Sequence, residues 1–145
     1  MMQSLSKSAD RLNDLLKGEI AAVETYSQAI DKIKDQSLCS ELREVQGCHA
    51  DRALLLHDKV SSLGREPAKG SGMWGALANM LEGSAKLFGE KAAIGMLEEQ
   101  EDKELADYRK LSKEAEPALQ PFLQNLLQRQ EGTHSKMSNL KHRLQ

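Results

Sequence analysis

The chain repeats itself, and the repeat limits what it can fold into. At an offset of 82 positions, Leu12 falls on Ile94, Leu15 on Leu97, Glu19 on Glu101, Val23 on Leu105 and Tyr26 on Tyr108. At an offset of 85, Leu38 falls on Leu123, Leu42 on Leu127, Gln46 on Glu131, Gly47 on Gly132, His49 on His134, Leu55 on Leu140 and His57 on His142. The offsets differ only by turn lengths. A duplicated pair of segments folds as two copies of one unit, here about a pseudo-two-fold axis.

Each segment carries a helical stripe. In the first, over about residues 8–34, Leu12, Leu16, Ile20, Val23, Tyr26, Ile30 and Ile33 recur at three- and four-residue steps, with Ser8 as the N-cap. Asp35-Gln36-Ser37 is a short turn, which favours an antiparallel neighbour. The second helix, about 38–63, uses Leu42, Val45, His49, Ala53, Leu56, Val60 and Leu63, and Gly64 with Pro67 stops it. The third runs from about 90 to 113 on Ile94, Leu97, Leu105, Tyr108 and Leu111; Pro117 ends it. Pro121 suits the first turn of a fourth helix, about 118–144. Between the pairs, residues 64–89 form a crossover, with a short amphipathic helix packing Trp74, Leu77, Leu81 and Phe88 on the bundle. Helices joined short, long, short predict an all-α fold: an antiparallel four-helix bundle with one long crossover, the ferritin-like arrangement.

Composition agrees. With 145 residues, the chain is expected to be one domain; 29% charged and 3% aromatic residues suit a Leu-, Glu- and Lys-rich bundle and argue against a β-sandwich. A net charge of −2 without a basic cluster speaks against nucleic acid. No apolar run approaches the roughly 20 residues of a membrane span, and the first residues lack the apolar core of a signal peptide, so a cytoplasmic protein is expected. Cys39 and Cys48 lie on opposite faces of one helix and belong to no Cys-x-x-Cys pair, which leaves two small, reduced core residues. Trp74 and Leu81 would also suit a second subunit, so a homodimer is one partner reading.

The fourth segment has a gap. None of residues 128–136 is large and apolar, although Leu123, Leu126 and Leu127 precede them and Met137, Leu140 and Leu144 follow. Glu131 and His134 fall in that gap, and a buried polar layer costs free energy unless it is paired. Glu19, Glu101 and His49 sit in the other three stripes, one polar group per helix at similar depth. Glu131-Gly-Thr-His134 is a Glu-x-x-His pair with both side chains on one face. Gln46-Gly-Cys-His49 is its altered copy. With Glu19 and Glu101 this is the carboxylate layout of di-iron and di-manganese bundles, one Glu replaced by Gln. Glu104, three after Glu101, either adds a further carboxylate or lies on a solvated flank. Such a donor set suits Fe, Mn or Zn, as one or two ions, and no organic cofactor. Gln46 is a poor ligand, so a decayed site held by Glu–His–Gln hydrogen bonds stands beside the one- and two-ion readings. Gly47 and Gly132 would let a neighbouring helix or metal come close. Tyr26 and Tyr108 either hydrogen-bond the layer or are ordinary core tyrosines. Glu98 and Glu99 read as surface; Glu24, His57 and His142 lie off the stripes.

Lys17-Gly18-Glu19 with Tyr26, the Gln46/His49 pair, the Gly-Ser-Gly-x-x-Gly-Ala-Leu crossover at 70–77 and Glu131/His134 resemble an uncharacterised bacterial family. Its members are ferritin-like four-helix bundles known as a domain of unknown function, distantly similar to rubrerythrins. The resemblance covers nearly the whole chain and implies the bundle. Likeness to rubrerythrins implies Glu19, His49, Glu101, Glu104, Glu131 and His134 as metal ligands. The chain departs from them at Gln46, where a Glu is expected, and in having no Cys-x-x-Cys rubredoxin module. Two functions follow as expectations. One is a metal-binding carboxylate/histidine centre with Fe(II)/O2 or peroxide chemistry; the other is a non-enzymatic interaction or stress protein with a decayed site.

Overall fold

A computed structural model describes residues 2–71 and 89–144. Its long elements are α1 (Met2–Lys32), α2 (Gln36–Ser62), α3 (Glu90–Glu114) and α4 (Gln120–Leu144), with a 3-10 turn at Pro117–Leu119 before α4. Among the described residues there is no strand. The expected crossover helix, with Trp74, Leu77, Leu81 and Phe88, lies outside them.

The helix ends follow local chemistry. Asp35 caps α2, its Oδ1 accepting the backbone N–H of Ser37 at 2.9 Å and of Leu38 at 3.2 Å. At the other end Gly64 turns left-handed (φ 83°); its N–H reaches Ser61 O and that of Arg65 reaches Val60 O. That is a Schellman stop, which only glycine makes without strain. α1 begins well before the expected Ser8, because nothing in residues 2–7 breaks a helix. Ser8 is buried in mid-helix and donates to Glu116 Oε2 at 3.1 Å, tying α1 to the α3–α4 turn. Gln120 donates to Ser112 O and Ala115 O, satisfying carbonyls at the end of α3.

Arg11 pairs with Glu114, and the Lys34 N–H donates to Glu90, so α1 and α3 run antiparallel. Glu41 pairs with Arg143 and Glu44 with Lys136, so α2 and α4 do too. α1 packs along α2 and α3 along α4; the α1–α3 seam is shorter and the α2–α4 seam the shortest. This is the all-α four-helix bundle that the stripes predict.

The core has two apolar halves. One joins Ile33, Leu38, Leu42, Ile94, Leu97, Met137 and Leu140. The other joins Leu12, Leu16, Leu56, Val60, Leu111, Leu123 and Leu126. The buried polar side chains lie between them. Cys39 is buried as expected, whereas Cys48 is exposed; both are free.

The register of the second helix pair differs from the sequence alignment. Leu42, Val45, His49, Arg52 and Leu56 are buried on α2, and Leu123, Leu126, Gln130, Thr133 and Met137 on α4. Those stripes match at an offset of 81, not 85. Four residues turn a helix by about 40° and advance it about 6 Å, so the letter matches at Gly132 and His134 are one turn out of step. Gly47 and Gly132 consequently face outward, where an added Cβ meets nothing within 4 Å. They do not serve close approach.

Candidate metal centre

Three of the four helices supply the expected groups. Glu19 from α1, His49 from α2, and Glu101 and Glu104 from α3 converge, none more than 3% exposed. His49 stands between two carboxylates, with Nδ1 2.5 Å from Glu19 Oε1 and Nε2 2.5 Å from Glu101 Oε2. The duplicated tyrosines close the pattern reciprocally. Tyr26 donates to Glu101 Oε2 and Tyr108 to Glu19 Oε2, each at 2.7 Å. Of the two readings open for these tyrosines, the hydrogen-bonding one holds.

Three expected residues stay outside the layer. Gln46 is half-buried and turns back to α1, donating to Val23 O at 2.8 Å and Ser27 Oγ at 2.6 Å. Glu131 is exposed. His134 is half-buried on the α3–α4 flank and pairs with Asp102. The physical reason is the register: one turn along α4, the inward places belong to Gln130 and Thr133.

What pairs with the layer is a residue the stripe reading passed over. Arg52 is fully buried, and its Nε donates to Glu19 Oε2 at 2.5 Å. Its Nη2 lies 2.7 Å from His49 Nδ1, 2.8 Å from Gln130 Oε1 and 3.3 Å from Thr133 Oγ1. With Nδ1 protonated toward Glu19, Nη2 and Nδ1 are both donors, so the Nη2 protons go to Gln130 and Thr133. Those two also serve Glu101: Thr133 donates to Oε1 at 2.7 Å and Gln130 Nε2 at 3.1 Å. Three signals in the sequence mark Arg52: it is three after His49, four before Leu56 and seven after Val45.

The electrostatics follow from this crowding. Burial would raise the Glu19 carboxyl, but the His49 imidazolium and then Arg52 bring it down to about 2. Burial would also make His49 a weaker base, yet Glu19 and Glu101 raise it to about 9. Glu101, opposed by burial, is lowered by His49. Glu104 is pushed well up, by burial first and then by Glu19 and Glu101. With Glu19 and Glu101 ionised, Glu104 neutral and His49 and Arg52 cationic, the layer carries no net charge.

Every oxygen of Glu19 and Glu101 has a donor, whereas neither oxygen of Glu104 accepts a hydrogen bond, and its protonated carboxyl faces Glu19. Arg52 Nη1 is likewise buried and unpartnered. A buried carboxyl that accepts no hydrogen bond is under-satisfied, and here it stands among metal-ligating groups. Glu104 Oε2 is 3.6 Å from His49 Nδ1, and one donor atom from each of Glu19, His49 and Glu104 lies within 4.8 Å of the others. Two carboxylates and an imidazole suit one divalent transition ion. A two-ion centre does not fit: its second Glu-x-x-His pair lies outside the layer, and Arg52 already holds a fixed positive charge there.

The sequence model of the family described as Domain of unknown function (DUF2383) matches residues 7–114, which include Glu19, His49, Arg52, Glu101 and Glu104. The chain belongs to this family. No curated protein matches this DUF2383 chain. Among solved structures it is similar to one described as ferritin like, diiron-carboxylate proteins, from Bacillus anthracis str. Ames. That likeness has a TM-score of 0.80 at 16% identity and spans 97% of this chain and 99% of that one. It shows that the DUF2383 chain has the ferritin-like fold. Among its described residues, no helix is long and apolar enough to cross a membrane.

Proposed function

We propose that this protein binds one divalent transition-metal ion in its core, with Glu19, His49 and Glu104 as ligands. The observation that carries the reading is Glu104: a buried carboxyl whose oxygens accept no hydrogen bond, beside two further donor groups. Arg52 supplies the positive charge that would otherwise call for a second ion. Exchange of one such ion for the protons of His49 and Glu104 leaves the layer neutral, so binding adds no uncompensated charge to the core. The similarity to a ferritin-like, diiron-carboxylate structure supports metal binding as a class, and the donor set admits Fe, Mn or Zn. When bound, iron would supply one-electron chemistry toward O2 or peroxide, and zinc Lewis acidity. The chain's own part is to orient and exclude. Tyr26 and Tyr108 fix Glu101 and Glu19, Gln130 and Thr133 hold Glu101, and the apolar halves keep water out.

Metal content after anaerobic reconstitution tests this, with wild type compared to Glu104→Gln. Wild type should hold one equivalent more of Fe, Mn or Zn. Equal contents would leave the rival, a non-enzymatic bundle whose layer is structural, a reading favoured by the complete pairing of Glu19 and Glu101. Aerobic addition of Fe(II), followed by near-ultraviolet absorbance, tests the redox part. Identical traces for wild type and Glu104→Gln would confine the site to binding.

A further inference from the structure

The Glu-x-x-His pair that the register leaves out of the core meets other ligands on the surface. Glu98 and Asp102 are four apart on α3 and share one face. His134 reaches them from α4, its Nε2 on Asp102 Oδ1. One donor atom each from Glu98, Asp102 and His134 lies within 4.8 Å of the others. Glu131, three before His134, lines the same groove, with Arg109 and Ser135. The side chain of Glu98 is only 12% exposed and accepts from Lys141 at 3.3 Å. Asp102 is 55% exposed, so solvent has access to the cluster. Glu101 and Asp102 are adjacent, but about 100° of helix rotation separates them. One enters the layer, and the other faces the flank.

We propose that the α3–α4 flank carries a second metal site, in which Glu98, Asp102 and His134 bind a divalent transition ion such as zinc. Two rigid helices hold the two carboxylates and the imidazole together before any ion arrives. Three protein ligands with an open side, completed by water, is a set zinc commonly accepts. Copper(II) occupies the same kind of site more tightly. No ligand is shared with the core layer, so this site stands whether or not the core binds metal.

The test is a zinc titration of the full chain in a Glu104→Gln background, which removes the core reading from the measurement. One equivalent should bind. His134→Ala and Asp102→Asn should each weaken it at least about tenfold, since losing even a group that only hydrogen-bonds to a metal ligand costs about 10- to 100-fold. Glu99→Gln, a neighbouring exposed carboxylate, should leave affinity within about twofold. Copper(II) electron paramagnetic resonance should show coupling to one nitrogen that His134→Ala removes. Coincident isotherms for His134→Ala and its parent would overturn the site, as would a loss in Glu99→Gln equal to that in Asp102→Asn. Nitrogen coupling that persists in His134→Ala would also overturn it. If His134→Ala melts early, His134→Gln keeps the bulk and tests the same ligand.

Discussion

Glu104→Gln separates the metal reading from the structural one more cleanly than any change to Glu19 or Glu101, because it should be nearly silent without metal. Glu104 is neutral in the folded layer, its oxygens accept no hydrogen bond, and its carboxyl faces Glu19. An amide of the same size is likewise neutral and keeps an N–H donor toward Glu19, so it removes no charge. The metal-free variant should unfold within about 1 kcal/mol of wild type, the ordinary range for a near-isosteric change. Unfolding entropy of roughly 2.1 cal/mol/K per residue makes 1 kcal/mol worth about 3 °C in a chain of this length, so the two melting curves should lie within about 3 °C. Adding zinc or manganese at 100 times the dissociation constant should stabilise wild type by about 2.7 kcal/mol, a rise of about 9 °C that the variant lacks. Any ion on the α3–α4 flank contributes equally to both and cancels. Thermal unfolding by circular dichroism, with and without metal, reads both quantities. A fall of 10 °C or more in the metal-free variant would show that Glu104 is ionised and paired in the fold. Equal shifts on adding metal would remove it from the ligand set.

Arg52→Met should be severe, costing about 3–5 kcal/mol because it strands a buried partner, and chemical denaturation that shows less than 1 kcal/mol would contradict the ion-pair network. Tyr26→Phe and Tyr108→Phe each delete a hydrogen bond to a buried carboxylate, and each should cost about 1.5–3 kcal/mol; unequal losses would deny the symmetry of the two contacts. The His49 pKa is raised from 6.5 to about 9, so its stabilising contribution is whole below pH 6.5 and fades as pH rises through about 9. Glu19 is lowered to about 2, so its contribution is whole above pH 4.5 and fades as pH falls through 2. Urea midpoints should therefore drop between pH 7 and 9.5, and the drop should vanish in His49→Gln. Gly47→Ala and Gly132→Ala place a methyl in open space on exposed helix faces, and each should add up to about 1 kcal/mol from helix propensity, visible as a higher melting temperature.

Half of the layer was legible in the sequence because identical chemistry occupies identical places. Glu19/Glu101 and Tyr26/Tyr108 share one offset, and that offset survives in the reciprocal tyrosine bonds. The other half was hidden by a coincidence of letters. Gly-x-His recurs at 47–49 and 132–134, yet burial follows the three-four spacing of the stripe, and that spacing sets 49 against 130. Arg52 escaped notice because arginine ordinarily marks a solvated face. Stepping from Leu42 through Val45 and His49 to Leu56 would have landed on it. The position of Glu131 followed from the same misregister. Glu104, three after Glu101, was open between the layer and a solvated flank, and its burial places it in the layer.

The charge of the layer is divided unevenly among the helices, and that division has a consequence for assembly. α1 and α3 contribute the carboxylates symmetrically, through Glu19 and Glu101. Both cations come from α2, as His49 and Arg52, while α4 offers only the neutral Gln130 and Thr133. α2 lies along α1 but diagonally from α3, with no backbone seam of its own against it. His49 nevertheless reaches Glu101 across that diagonal, and Arg52 reaches both Gln130 and Thr133 on α4. The α1–α2 hairpin alone keeps two cations against the single carboxylate of Glu19. The α3–α4 hairpin alone keeps carboxyl groups with no cation in the layer. Apart, each half could become neutral only by giving up the His49 proton or by protonating Glu101, and it would lose the ion pair and hydrogen bonds that join the halves. Only docking in this register lets His49 and Arg52 keep their charge with partners on the other half, so the two residues favour this pairing of the repeats.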